Sequence, residues 1–372
     1  MRKIRVLIVD DAVVVRRIVS DVLGGDPNIE VAGTAANGKI ALSKITLVNP
    51  DIITLDVEMP EMDGLECLKE IRKKYATLPV IMFSTLTTRG GAATLDALAL
   101  GATDYVAKPA NVGSVNVAMQ RIRDELIPKI KTFCGKAVGL QPSTVPDFRV
   151  KAKPRPAVRP PPVRPGLALA RQRVDILAIG VSTGGPNALA ELMPVLPSNL
   201  PVPIVIVQHM PPFFTKLLAE RLDSKSKISI GEGAAGDLLQ PGKALMAPGD
   251  YHMVLRKNGA AFQVQTNQEP PENSCRPAVD VLFRSVAETF GPRTLAVIMT
   301  GMGQDGLLGC ERIKEAGGQI IVQDEASSVV WGMPGFVARA GLAEKVLPLP
   351  QLGAEIVKRL KEGRPTWQPL AS

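Results

Sequence analysis

Three short stretches in the second half of this 372-residue chain carry groups that together suit ester or amide hydrolysis. The first is Gly180-Val181-Ser182-Thr183-Gly184-Gly185. A serine in Gly-x-Ser-x-Gly between a strand and a helix sits on a sharp turn with its Oγ exposed. Free main-chain N–H groups at the helix start stabilise negative charge developing nearby. The same glycines also suit a plain anion-binding turn. The second stretch is Gln208-His209-Met210, where an imidazole with an ordinary pKa near ~6.5 can move protons around neutrality. The chain has two histidines, and His252 is the rival base, although its place between a turn and a strand suits loop anchoring. The third stretch is Thr300-Gly301-Met302-Gly303-Gln304-Asp305-Gly306. Asp305 there could orient His209 and stabilise the imidazolium, with a helix N-cap as the structural alternative. Main-chain N–H groups around Met302 could donate to a tetrahedral oxyanion.

These groups need a scaffold that brings distant stretches together. Each follows a largely apolar run, Val174 to Ile179, Val202 to Val207 and Leu295 to Thr300, which reads as a buried parallel strand. The three polar groups therefore fall at strand carboxyl ends, where an open α/β sheet builds its site. The chain order Ser, His, Asp departs from the Ser, Asp/Glu, His order of α/β-hydrolases. A Rossmann-like doubly wound catalytic domain is expected over residues 171–372.

The first 126 residues repeat the logic with other chemistry. Strands from Ile4, Ile52, Val80 and Asp104 end respectively at Asp10-Asp11, Asp56, Ser84-Thr85 and Lys108-Pro109. Close carboxylates repel one another unless a hard cation is present, and oxygen ligands suit Mg²⁺. With the metal in place, Asp56 can attack a phosphoryl group while Lys108 neutralises charge on its oxygens.

Composition fits two α/β domains. Aromatic residues make up only 4% of the chain, and four scattered cysteines form neither a zinc nor a disulfide pattern, so a reducing cytoplasm is expected. The formal net charge is +8. Arg149 to Arg173 holds as many lysines and arginines as the whole excess, with no acidic residue and many prolines. That composition reads as an extended linker, placed at 127–170. Neither a nucleic-acid partner nor membrane insertion is expected, since no basic folded face and no spanning run are present.

Val9-Asp10-Asp11, the run Pro50 to Gly64 containing Asp56-Val57-Glu58-Met59-Pro60, and Gly101 to Pro109 resemble a response-regulator receiver domain. The resemblance implies a flavodoxin-like strand order, Mg²⁺ organised by Asp10, Asp11 and Asp56, and phosphorylation of Asp56 by a histidine kinase. It makes Ser84 or Thr85 the switch hydroxyl and Tyr105 the switch aromatic, beside Lys108. The second half resembles the catalytic domain of chemotaxis protein-glutamate methylesterases, through the three stretches above, Arg276-Pro277-Ala278-Val279-Asp280, and Ser327 to Pro334. Ala278 and Trp331 depart from the serine and tyrosine common there. This resemblance implies demethylation of chemoreceptor glutamate γ-methyl esters and deamidation of receptor glutamines. Ser182 would be nucleophile, His209 base, Asp305 its orienter, Met302 an oxyanion donor and Thr183 an assistant, with no cofactor for the esterase step. It also implies that the receiver covers the Ser182 cleft until phosphorylated. A transcription factor would need a basic helix-turn-helix after the linker, and a catalytically silent output domain would need no intact Ser182, His209 and Asp305.

Overall fold

The computed structural model describes residues 2–85, 87–108, 115–135 and 173–362. The linker expected at 127–170 lies outside the described residues from 136 onward.

The N-terminal domain is a five-stranded parallel sheet in the order β2-β1-β3-β4-β5. Its strands are β1 Ile4–Val9, β2 Ile29–Ala35, β3 Ile52–Asp56, β4 Val80–Ser84 and β5 Asp104–Ala107. Helices α1 Val13–Gly24, α2 Gly38–Val48, α3 Gly64–Lys74, α4 Thr88–Ala99 and α5 Val115–Cys134 connect and cover them. Strands β3 and β4 are buried along their whole length, which is why they read as continuous apolar runs. The boundary expected at 126 falls inside α5. Pro128 lies within that helix and costs it one backbone hydrogen bond. Burial of Leu126, Ile127, Ile130 and Cys134 against the sheet holds the turn helical regardless.

The C-terminal domain is a seven-stranded parallel sheet in the order β14-β13-β12-β6-β7-β9-β8. Its strands are β6 Ile176–Val181, β7 Ile204–Gln208, β8 Ser229–Glu232, β9 Lys243–Met246, β12 Thr294–Ile298, β13 Gln319–Gln323 and β14 Lys345–Leu347. An antiparallel hairpin, β10 His252–Asn258 and β11 Ala261–Asn267, stands apart from this sheet. The helices are α6 Gly185–Leu192, α7 Phe214–Asp223, α8 Val279–Phe290, α9 Leu307–Glu315, α10 Met333–Arg339 and α11 Leu349–Lys361. Strand periodicity splits β6 between two layers. Leu177, Ile179 and Val181 join the core that holds Leu189 of α6, Phe214 of α7 and Leu352 of α11. Ile176 and Ala178 face the core with Phe283 of α8, Ile313 of α9 and Val337 of α10. The domain is therefore doubly wound, with β6 central and β7 and β12 beside it.

The two domains pack directly. Tyr105 of β5 stacks on Phe214 of α7. Arg221 pairs with Asp96 at 2.6 Å, and the Asn187 side chain donates to the Leu98 carbonyl at 2.9 Å. On α4, Gly91 lies against Leu217 and Phe214; a Cβ there would come within 2.8 Å of Leu217 Cδ1.

Candidate active site

Ser182 directly follows β6, His209 directly follows β7, and Asp305 lies in the turn between β12 and α9. The three most central strands thus each deliver one group to the same carboxyl edge. Gly184 takes φ +79, a conformation open to glycine without steric cost, and so lets α6 start immediately behind the serine.

His209 Nε2 meets Asp305 Oδ2 at 2.7 Å. Asp305 is among the most constrained groups in the molecule. Oδ2 also accepts the Val279 N–H at 2.6 Å, and Oδ1 accepts the N–H groups of Asp280 and Gly306 and the Asn273 side-chain amide, each at 3.0 Å. It therefore does cap a helix, but that helix is α8 rather than its own α9. One carboxylate thus meets both His209 and the first N–H groups of α8. Burial works against its charge, but His209 and the amide donors outweigh burial and hold it below the ordinary carboxylate range. The neighbouring Asp280 is pushed the other way, up to about 7, by burial and by the Asp305 charge. Two close buried carboxylates cannot both ionise cheaply.

Because Nε2 is engaged by Asp305, Nδ1 is the ring nitrogen left to accept a proton. It faces the Cys275 thiol at 3.5 Å. Among the described residues Ser182 Oγ makes no hydrogen bond, and the Met302 N–H donates to no protein acceptor. Burial is the largest influence on His209 and opposes its charge. Cys275 and the Asp305 carboxylate prevail and push the ring up to about 10.

The rival base is placed elsewhere. His252 is buried, with Nδ1 accepting the Ala278 N–H at 3.2 Å and Nε2 lying 3.2 Å from the Pro270 carbonyl. Both nitrogens are spent on holding a loop. The Thr183 hydroxyl donates to Asp104 Oδ2 of the first domain at 3.3 Å. Asp104 is held in turn by Lys129 at 2.6 Å, and the Met302 sulfur is touched by Thr132 Oγ1 at 3.3 Å. Trp331 donates to the Gln323 carbonyl at 2.9 Å and packs beneath Arg339.

At the first domain's carboxyl edge, Asp10, Asp11 and Asp56 bring one oxygen each to within 4.8 Å of one another. Lys108 Nζ lies 2.8 Å from Asp10 and 2.6 Å from Asp56. Burial pushes Asp56 up to about 6 although Lys108 opposes it. This excess of buried negative charge fits a hard divalent cation. Ser84 and Thr85 divide the expected hydroxyl role in space. Ser84 Oγ is buried and donates to the Gly90 carbonyl at 3.0 Å, whereas Thr85 lines the crevice with Asp11, Asp56, Val57, Glu58 and Lys108.

Residues 6–120 match the response regulator receiver domain family and residues 177–356 match the CheB methylesterase family. A protein-glutamate methylesterase/protein-glutamine glutaminase of Trichodesmium erythraeum is 54% identical over 97% of this chain and 100% of its own length. One of the same description from Nocardioides sp. is 51% identical over 99% of both. This chain belongs to the CheB family. Within that family, the catalytic domain of the Thermotoga maritima CheB methylesterase is 42% identical, covering 50% of this chain and 99% of its own, with a TM-score of 0.49. The receiver and catalytic halves read from the CheB sequence are both present. Among the described residues no helix is long and apolar enough to cross a membrane.

Sequence reasoning missed Asn273, Asp280 and Cys275. None belongs to a strand-end motif, and the first and third come from a loop whose course only the tertiary fold sets. Arg276-Pro277-Ala278-Val279-Asp280 was the nearest signal, as the run leading into α8.

Proposed function

We propose that this CheB hydrolyses the γ-methyl esters of chemoreceptor glutamates, and deamidates particular receptor glutamines, with Ser182, His209 and Asp305 as its triad. The observation that carries this reading is the 2.7 Å bond from His209 Nε2 to an immobilised Asp305, one strand away from Ser182. Asp305 fixes the tautomer in which Nδ1 is free of its proton. Nδ1 takes the Ser182 proton as Oγ attacks the ester carbonyl, and the developing oxyanion is received by the Met302 N–H. His209 then returns the proton to departing methanol, and water cleaves the acyl-enzyme by the same base. An amide substrate follows the same path with ammonia leaving.

Control would come from Asp56. Asp10, Asp11 and Asp56 would hold Mg²⁺, which when bound offsets charge on a transferred phosphoryl group, and Lys108 would contact its oxygens. A histidine kinase is the expected donor. The receiver contacts Thr183, Met302, Asn187 and α7, all beside the triad, so substrate entry requires this face to move. An intrachain interface of ordinary size, ~600–1,500 Å², can be displaced by a modest bias. A reducing cytoplasm is the setting that fits four unpaired cysteines.

The test is methanol release from methylated receptor membranes, with and without Mg²⁺ and a small-molecule phosphodonor. Release should rise with phosphodonor in the wild type, be absent in Ser182→Ala and stay unstimulated in Asp56→Asn. Release surviving Ser182→Ala would remove the serine from its role.

A further inference from the structure

Cys275 reaches His209 from a turn whose every end is tied down. Glu272 and Cys275 exchange both backbone hydrogen bonds, Glu272 N–H to the Cys275 carbonyl at 3.1 Å and the reverse at 2.8 Å. Between them Asn273 and Ser274 both take positive φ, +52° and +62°, the left-handed pair that closes a two-residue turn of this kind. Arg284 grips Glu272 with two hydrogen bonds of 2.7 and 2.6 Å. Beyond the turn, the Arg276 guanidinium holds Asp250 Oδ1 at 2.6 and 3.1 Å. One rigid turn thus addresses both ends of the dyad. Asn273 donates to Asp305 and also to Asp280 at 2.9 Å, while Cys275 meets the opposite nitrogen of His209.

We propose that Cys275 is a positioning residue for His209: its thiol occupies Nδ1 in the covered enzyme and holds the base off Ser182 until the two exchange partners. This rests on the assignment of Ser182, His209 and Asp305 above. The geometry leaves one nitrogen for two candidates, a thiol 3.5 Å away and a serine hydroxyl that has no hydrogen bond at all among the described residues. A thiol at Nδ1 competes with the serine hydroxyl for that nitrogen's lone pair, and while it stays there His209 cannot act as a base on Ser182. The titratable groups facing the ring are Asp305 from the turn after β12 and Cys275 from this loop. Asp280 of α8 stands one hydrogen bond further out through Asn273. On the receiver side Asp104, already paired with Lys129, reaches only as far as Thr183.

The experiment uses the full chain as wild type, Cys275→Ala and Cys275→Ser. The sequence has two histidines, so the imidazole signals of the unphosphorylated protein are followed by NMR against pH, independently of turnover. Cys275 is among the groups that raise His209, so the His209 midpoint should fall in both variants. Without phosphodonor, the acid limb of kcat/KM for the basal methanol release should move down by a similar amount, at little change in KM. Iodoacetamide gives a third readout, since Cys67, Cys134 and Cys310 are buried and Cys275 is half-exposed. Sulfur displaces iodide to form a thioether, and the thiol proton passes to solvent. Wild type should lose turnover as Cys275 is alkylated, while Cys275→Ser resists. A His209 midpoint and acid limb unchanged in both variants would overturn the proposal. The serine variant keeps the side-chain size, so failure of Cys275→Ala to fold does not remove the test. Turnover that survives Ser182→Ala would instead discredit the triad, and is a separate outcome.

Discussion

The ring of Tyr105 lies on the ring of Phe214, centroids 5.2 Å apart and planes 13° from parallel, and joins the receiver to the catalytic domain. Tyr105 ends its domain's sheet, and Phe214 opens the helix that follows the His209 loop. The stack therefore lies within a few residues of the proposed base.

Aromatic stacking contributes ~0.5–1.5 kcal/mol beyond area burial, or about 2–10-fold in the open population. Tyr105→Ala should raise methanol release from unphosphorylated enzyme by about that factor and narrow the gain from phosphodonor. Phe214→Ala is expected to behave differently. Phe214 is wholly buried in the catalytic core, so its loss costs ~3–5 kcal/mol of stability and should show first as a lower thermal midpoint. Equal, small effects of both substitutions on unphosphorylated turnover would mean that the stack does not restrain the domains.

Asp305→Asn tests a carboxylate with two duties. Loss of the anion that orients a triad histidine is worth about 10⁴ in rate in the well-studied serine protease case, and a fall of ~10³–10⁴ in kcat is expected here. The N–H groups of Val279, Asp280 and Gly306 also bond to this side chain. Thermal unfolding should therefore drop by several degrees, unlike that of Ser182→Ala. A rate loss without a stability loss would mean α8 does not depend on Asp305 for its start.

The three proposed triad residues were legible because strand ends advertise themselves. Ser182, His209 and Asp305 each follow an apolar run, and a parallel sheet collects such ends at one edge. What surrounds them was not legible. Asn273 and Cys275 are local to a turn with no strand signal, and the buried Asp280 looks in sequence like any acidic residue in a first helical turn. The domain boundary expected at 126 cuts α5, which runs on through Pro128 because Ile130 and Cys134 are buried against the sheet. Strands β8 and β9 are short and only partly buried, so their pattern is weak.

The pH dependence of stability has a defined sign. His209 is pushed up to about 10, above its ordinary ~6.5, so the folded chain binds that proton more tightly than the unfolded chain does. The resulting stability is fully present below about pH 6.5 and is lost as pH rises through about 10. The thermal midpoint of the unphosphorylated enzyme should decline across this window, and that of His209→Gln should decline less. Parallel declines would assign the loss to other groups.

Ser84 and Thr85 make a distinguishable pair. Ser84 must abandon the Gly90 carbonyl to reach a phosphoryl group, whereas Thr85 already borders the crevice. Ser84→Ala should leave Asp56 phosphorylation intact, as read by phosphate incorporation, and abolish most of its stimulation of methanol release. Thr85→Ala should change the lifetime of the phosphorylated state more than the coupling. The reverse pattern would move the switch role to Thr85.

Gly91 carries a requirement that its own domain does not impose. In an isolated receiver that face of α4 would tolerate a side chain, yet here a single added methyl meets Leu217. Part of the receiver's sequence is thus written by its neighbour. A receiver taken from an unrelated regulator, equally able to accept phosphate, would arrive with a bulkier α4 and seat poorly over the catalytic edge. The two halves of this chain are matched parts, and under the proposed gating an enzyme given a homologous receiver should be always partly on.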